Sequence, residues 1–239
     1  MKEKVRDTFN QMANAYEHSV DSDNLYNAEY ERPAMMERVP ENLTGKKVLD
    51  AGCAAGWYTL QLMKRGAEVV AIDMSPEMAE AAKRRVEDHA QVLCLDLEEA
   101  LPFEDESFDF ILSSLTLHYL KDWEGTFTEF HRVLKPGGSF LFSVHHPLTD
   151  IRLLDSPEYF STELIIDEWK KDGKMFKVPF YRRPLNEILN RTLAHFELVQ
   201  VVEPLPTEAF RERDPERFER LMKEPNFLIV DAKKKTVIS

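Results

Sequence analysis

An apolar run, Lys47-Val-Leu, ends in Asp50, turns on Gly52 and Gly56, and gives way to a helix-like pattern from Trp57 to Lys64. A strand, a small-residue turn and a helix start in that order let the backbone come close to a nucleotide-like ligand, because residues without bulk leave their peptide groups uncovered. A second apolar run, Glu68-Val-Val-Ala-Ile-Asp73, also ends in an acid, 21 positions after Gly52. Nucleotide-binding units of this kind place there the carboxylate that holds a ribose diol. Either acid alone reads equally well as a helix cap, since both precede plausible helix starts. The turn and the two acids together are more telling than any one of them.

Strands and helices alternate through the first two thirds of the chain. Residues 3–18 and 25–37 read as amphipathic helices, the first with Val5, Phe9, Met12, Ala13 and Tyr16 on one face, and Asp21-Ser-Asp-Asn breaks the pattern between them. Strand 47–50, helix 56–65, strand 68–72, helix 76–88 and strand 91–95 follow, with Ser75-Pro76 as an N-cap and first-turn proline. Strand 108–113 comes after the Pro102 turn, helix 123–134 stops at Lys135-Pro-Gly-Gly, and strand 139–144 comes next. Such alternation implies βαβ units and a parallel sheet with helices on both faces. Residues 146–183 break the rhythm with Pro147, Pro157 and Pro179 and a hairpin-like pair, 163–169 and 174–180, around Lys171-Asp-Gly. Helix 184–194 and strands 196–202 and 226–231 complete the pattern.

In their order and spacing these segments resemble the class I methyltransferases that use S-adenosylmethionine. The family's loop commonly reads Asp/Glu-x-Gly-x-Gly-x-Gly; here it reads Asp50-Ala51-Gly52-Cys53-Ala54-Ala55-Gly56, with Ala54 in place of the middle glycine. An alanine there is unstrained if its φ is negative and strains the turn if φ is positive. The likeness continues through Cys94-Leu-Asp96-Leu97, the stretch 101–115, and Arg132-Val-Leu-Lys-Pro-Gly-Gly, and it fades after His145. It is closest to the branch acting on small molecules.

The resemblance implies a Rossmann-like, doubly wound α/β fold: a seven-stranded, mostly parallel sheet with one antiparallel strand, N-terminal helices, and an insertion after strand five. It implies one methyltransferase domain over 1–239, made of a helical cap (1–40), a cofactor-binding core (41–145), an acceptor-side insertion (146–183) and a C-terminal helix and strands (184–239). The cofactor would be S-adenosylmethionine. Asp50, Ala51, Gly52, Cys53 and Gly56 would form its loop, Asp73 would accept from the ribose hydroxyls, Met74 and Leu97 would flank the adenine, and Asp96 would accept from its amino group. Ser113 lies at a strand end facing the same crevice. An aromatic from the N-terminal helices, Tyr16 foremost, with Tyr26 and Tyr30, would cover the cofactor. Trp57, Tyr58, Tyr181 and Arg182 are candidates for the acceptor wall. His145 and His146, just past a strand end, are the first candidates for a general base, with His118 and Tyr119 next; histidine titrates near neutrality. One of the His145-His146 pair reads equally as a backbone partner before Pro147.

The formal net charge is −12. A polyanion such as tRNA is repelled on average, because affinity for nucleic acid rests on Lys and Arg neutralising phosphates; Arg182-Arg183 and Lys170-Lys171 are the candidate local exceptions. The two cysteines, Cys53 and Cys94, read as reduced core thiols, with no disulfide framework and no zinc spacing. No apolar run approaches the ~20 residues of a membrane helix, and the start has no apolar signal core, so a cytoplasmic enzyme is expected. The function expected is methyl transfer to a small-molecule acceptor by in-line displacement. The alternatives are a tRNA-modifying methyltransferase and a module that binds the cofactor without turnover. A nicotinamide-dependent dehydrogenase would keep Gly-x-Gly-x-x-Gly, which this loop does not. The sequence leaves acceptor and oligomeric state open.

Overall fold

The computed structural model describes residues 1–18, 20–156, 158–171 and 173–235. Pro157 and Asp172, both in the expected insertion, lie outside the described residues. Helix α1 (Lys2–His18) and a short α2 (Val20–Asp23) lead through a π-helical turn, Asn27–Glu31, into α3 (Arg32–Met36). The alternating core follows as β1 (Lys47–Ala51), α4 (Trp57–Lys64), β2 (Glu68–Asp73), α5 (Pro76–Val86), β3 (Gln91–Cys94), β4 (Phe108–Ser114), α6 (Glu124–Val133) and β5 (Leu134–His145). Next come a one-turn helix α7 (Pro147–Asp150) and the pair β6 (Glu163–Lys171) and β7 (Lys174–Arg182). The chain continues with α8 (Leu185–His195), β8 (Phe196–Val202), α9 (Glu208–Arg213), α10 (Pro215–Leu221) and β9 (Phe227–Lys234).

Seven strands form one sheet in the order β3-β2-β1-β4-β5-β9-β8. β3, β2, β1, β4 and β5 pair in parallel, and β9 runs antiparallel to both β5 and β8. This is the expected mostly parallel sheet with one reversed strand. Alternate residues point to opposite faces, as pleating requires. Leu49, Ile111, Phe140, Phe142 and Val230 pack with Phe127 and Phe130 of α6 and Ile188 of α8. Val48, Phe110, Leu112, Leu141 and Ile229 pack with Met35 of α3 and Leu62 of α4. Both faces are buried, so the strands read as apolar runs.

Local signals were obeyed at α5, where Ser75 Oγ accepts from Met78 N at 3.1 Å and Pro76 occupies the first turn. Lys135-Pro-Gly-Gly ends α6 as expected, but strand pairing resumes at once. Leu134 pairs with Phe108, the ladder breaks over the four loop residues, and it restarts with Ser139 opposite Phe110. The stop signal is therefore a bulge inside β5, consistent with a proline that has no N–H to donate. Two further helices, α9 and α10, occupy the long connection to β9 that the apolar pattern left blank. Their caps are conventional: Thr207 Oγ1 accepts from Phe210 N, and Asp214 precedes Pro215 and accepts from Arg217 N.

β6 and β7 form a separate two-stranded sheet after β5. Its inner residues Phe176 and Val178 pack on Met12 and Ala13 of α1 and Ala55 of the glycine loop. Thr8 Oγ1 donates to Lys177 O at 3.2 Å. Insertion and N-terminal helices thus meet each other over the carboxyl ends of the sheet strands. Cys94, expected in the core, is exposed, because β3 is the outermost strand on its side. Arg182 and Arg183, candidates for a basic surface patch, are both buried. Among the described residues no helix is long and apolar enough to cross a membrane.

Candidate active site

Sheet order reverses between β1 and β4, where open α/β sheets bind their ligands. A cavity of about 700 Å³ opens there. One side is the loop after β1 and the ends of β2 and β3; the other is the ends of β4 and β5 with the hairpin and the N-terminal helices over them. β1 and β5 are two strand spacings apart, so the halves lie about 10 Å from each other.

The loop is shaped by its backbone. Gly52 has φ +86°, and a Cβ there would sit 2.2 Å from Thr116 Oγ1, so the site demands glycine. Gly52 N and Cys53 N both donate to Ile72 O, at 2.8 and 2.9 Å. Ala54 has φ +46°, the strained of the two alternatives left open by the sequence. Its N–H donates to Asp73 Oδ2 at 2.9 Å, while Ser75 N donates to Oδ1 at 2.8 Å. Leu115 is also left-handed, φ +47°, and lines the same cavity. Backbone strain of this kind collects at functional sites. Because a left-handed alanine costs about 1–2 kcal/mol and glycine costs part of that back in the unfolded chain, Ala54→Gly should stabilise the protein by about 0.5–1 kcal/mol. The checking measurement is a thermal melt, with a rise of about 1–4 °C expected.

The sequence-predicted residues divide into two groups. Tyr16, Gly52, Cys53, Asp73, Met74, Asp96, Leu97 and His145 line the cavity. Asp50, Ala51, Gly56, Ser113, His118 and His146 do not. Asp50 is buried behind the loop, its Oδ2 accepting from Thr59 Oγ1 at 2.6 Å. Ala51 is the buried end of β1, Gly56 is the N-cap of α4, and Ser113 Oγ donates to Ala51 O at 2.9 Å, tying β4 to β1. His146 caps α7, its Nδ1 accepting from Leu148 N at 3.1 Å and its Nε2 lying 2.8 Å from Glu203. That is the backbone role the sequence left open for one of the pair. Tyr30 is fully buried, its hydroxyl accepting from Asn226 N, whereas Tyr26 reaches the cavity. Arg182 is used up inside the insertion by Glu163 and the carbonyls of Glu158, Tyr159 and Ser161.

Burial sets the protonation of the acids. It raises the Asp73 pKa to about 6 against the two backbone donors, and the Asp50 pKa to about 7, opposed by Thr59 and helped by Asp73. The Cys53 thiol is pushed well up by burial and by both aspartates, so it is no ready nucleophile. The Tyr16 hydroxyl is raised to about 12, chiefly by burial. Asp96 pairs with Lys2 of α1 and accepts from Glu98 N at 2.9 Å.

Two residues that the sequence did not single out matter here. Arg32 is 6% exposed and lines the cavity. Its Nη2 donates to Asp21 Oδ1 at 2.9 Å and its guanidinium lies 4.2 Å over the Trp57 ring. Its buried Nη1 has no hydrogen-bond partner among the described residues, a costly state unless a ligand supplies an acceptor. Beside it Glu31, fully buried, accepts from Ser143 Oγ (2.5 Å), Tyr58 OH (2.7 Å) and Ser114 Oγ (2.8 Å). Burial raises its pKa against those three bonds. Neither residue carries a local sequence signal, because the partners of Glu31 lie 27, 83 and 112 positions away.

The donor set suits S-adenosylmethionine: a close backbone loop, a carboxylate at the end of β2, a second near β3, apolar Met74 and Leu97, and a buried guanidinium whose Nη1 has no partner among the described residues. Residues 49–142 match the family model described as "Methyltransferase domain". The chain is 28% identical over 223 residues to an uncharacterized protein of Haemophilus influenzae, covering 85% of this chain and 87% of that one. It is 42% identical over 100 residues to the malonyl-[acyl-carrier protein] O-methyltransferase of Erwinia billingiae, covering only 41% of this chain and 39% of that enzyme. The structure superposes on an S-adenosylmethionine-dependent methyltransferase of Mesorhizobium loti with a TM-score of 0.68 and 28% identity, over 85% of this chain and 97% of that one. Sheet order, glycine loop, cavity and these likenesses converge: residues 49–142 carry a methyltransferase domain, in a chain folded like the S-adenosylmethionine-dependent methyltransferases it resembles.

Proposed function

We propose that this methyltransferase acts on a small-molecule acceptor, held between the N-terminal helices and the β6–β7 hairpin, with His145 on the acceptor side. The observation that carries the reading is the single cavity in which the Gly52–Ala55 loop and Asp73 face His145 and the hairpin. When bound, the cofactor supplies a methyl group already activated on a sulfonium sulfur. The protein's part is to align the two partners and keep water out, and orientation alone contributes ~7–11 kcal/mol.

In this reading Asp73 accepts from the ribose hydroxyls with the lone pairs that Ala54 N and Ser75 N leave free. Asp96 and Leu97 meet the adenine, Lys2 sharing the Asp96 carboxylate. Arg32 Nη1 meets the carboxylate of the methionine portion, and Tyr16 covers it from α1. The acceptor side is roofed by Trp169 and Phe180.

Calorimetric titration with S-adenosylhomocysteine, with NADH as control, tests the cofactor half. Micromolar binding of the first and none of the second is expected, and the reverse would overturn the assignment. Asp73→Ala should weaken S-adenosylhomocysteine by about 1–3 kcal/mol, the cost of losing hydrogen bonds to a charged acceptor. Since the carboxylate is a pure acceptor only when ionised, wild-type affinity should also fall as the pH drops through about 6. The variant should lack that inflection; an affinity that is flat across it would remove Asp73 from the ribose.

A further inference from the structure

His145 ends β5 with its ring held from several sides. Its Nδ1 lies 3.4 Å from Asp150 Oδ1, an ion-pair distance across to α7. Asp150 is 3% exposed, lines the cavity, and has no other ion-pair partner among the described residues. The His145 ring stacks on His118 with centroids 4.0 Å apart and planes 19° from parallel. Phe180 meets it edge-on at 4.7 Å, and Trp169 and Phe227 lie 6.4 and 6.3 Å away. Trp169, Phe180 and Phe227 all line the cavity.

The roles of these groups differ. His118 is buried, and neither ring nitrogen has a hydrogen-bond partner among the described residues. Burial, His145 and the nearby Arg183 push its pKa well down, so it is a neutral plate and does not compete for protons. Of the other charged groups around it, Glu203 is taken by His146 and Asp167 accepts from Trp169 Nε1. Among the described residues Asp150 is thus the carboxylate at ion-pair distance from His145, and it stands on the Nδ1 side of the ring, which leaves Nε2 as the nitrogen free to take a proton. A base so oriented has work only if the acceptor must shed a proton as it reacts. A carboxylate acceptor has none to lose. Histidine can act as general base toward hydroxyls of either kind, but a phenol near ~10 gives up its proton far more readily than an alkyl hydroxyl, as weak an acid as water. Aromatic walls at ring-packing distances suit a flat ring.

We propose that Asp150 is a positioning residue for His145, and that the pair serves a hydroxylated aromatic acceptor seated against Trp169, Phe180 and Phe227. This rests on the methyltransferase reading of the cavity. The ring O–H bond breaks with its proton passing to His145 Nε2. The oxygen forms a bond to the methyl carbon as that carbon's bond to sulfur breaks, leaving a neutral thioether. The imidazolium then returns its proton to water.

The test uses the full chain saturated with S-adenosylhomocysteine and titrated with 4-nitrophenol, whose phenolate is yellow. Binding is expected, with the bound probe ionising on the acid side of its free titration by about one pK unit, a tenfold rise in the phenolate-to-phenol ratio. Asp150→Asn should bind S-adenosylhomocysteine as the wild type does and hold the probe within a few-fold, yet lose the extra phenolate. His145→Gln should lose it too. Normal binding of S-adenosylhomocysteine without binding of 4-nitrophenol overturns the acceptor class, and an ionisation unchanged in Asp150→Asn overturns the positioning role. Failure of the wild type to bind S-adenosylhomocysteine removes the cofactor reading itself, and this proposal with it.

Discussion

Replacing Arg32 with methionine should lower affinity for S-adenosylhomocysteine by roughly ten- to a hundredfold, while 5′-methylthioadenosine binds as it does to the wild type. The second ligand keeps the nucleoside and lacks the amino-acid tail, so it separates a carboxylate clamp from a merely structural arginine. The size follows from hydrogen bonds to charged groups, about 1.5–3 kcal/mol each, at 1.4 kcal/mol per factor of ten. Methionine keeps an unbranched stem over Trp57, the ring that Arg32 covers at 4.2 Å. Asp21, the partner lost, retains Arg85 at 2.7 Å. Equal losses for both ligands would mean that Arg32 serves to hold the N-terminal helices in place and not to meet the cofactor.

Asp50→Asn should change the pH dependence of stability more than any other single substitution at the loop. The folded chain keeps the Asp50 proton up to about pH 7, whereas an unfolded chain releases it near the ordinary ~3.9. Between those values the folded state binds more protons than the unfolded one, so on this account stability falls as pH rises through the window. Asparagine has no proton to lose, and its amide oxygen can still accept from Thr59 Oγ1. The variant should nearly match the wild type at about pH 4 and exceed it at about pH 8 by on the order of 3–4 kcal/mol. Urea midpoints at the two pH values, with unchanged slopes, measure the difference. A variant that tracks the wild type at both would mean that Asp50 stays ionised, and the Thr59 bond would then outweigh burial.

What could be read from the residues was what adjacent positions determine. Gly52, Asp73 and the Ser75-Pro76 cap are local patterns, and each stands where its spacing requires. The seven-stranded, mostly parallel sheet with one reversed strand followed from the alternation together with the family likeness. Arg32 and Glu31 were invisible because their partners are distant in sequence and their neighbourhood is a π-helical turn that no periodicity announces. The stacking of His118 on His145 depends on two strand ends meeting, so the sequence could offer three histidines but not separate the one that lines the cavity from the two that do not. Asp50 misled for a different reason. An acid at a strand end is equally suited to facing the crevice or turning beneath the loop, and only packing against Thr59 decides. The helices α9 and α10 were readable from Thr207 and Asp214-Pro215, but short polar segments between strands leave too little apolar pattern to prompt the search.

β9 lies between β5 and β8 and pairs with both along most of its length. During synthesis β8 leaves the ribosome before the strand that must separate it from β5. The five parallel strands from β3 to β5 can assemble early, but until β9 arrives β5 presents an open row of amides and carbonyls beside a neighbour of the wrong polarity. Productive folding therefore requires β8 to wait until the connection carrying α9 and α10, and β9 after it, have been made. A nascent chain stalled a few residues short of β9 should be the most aggregation-prone species this protein forms.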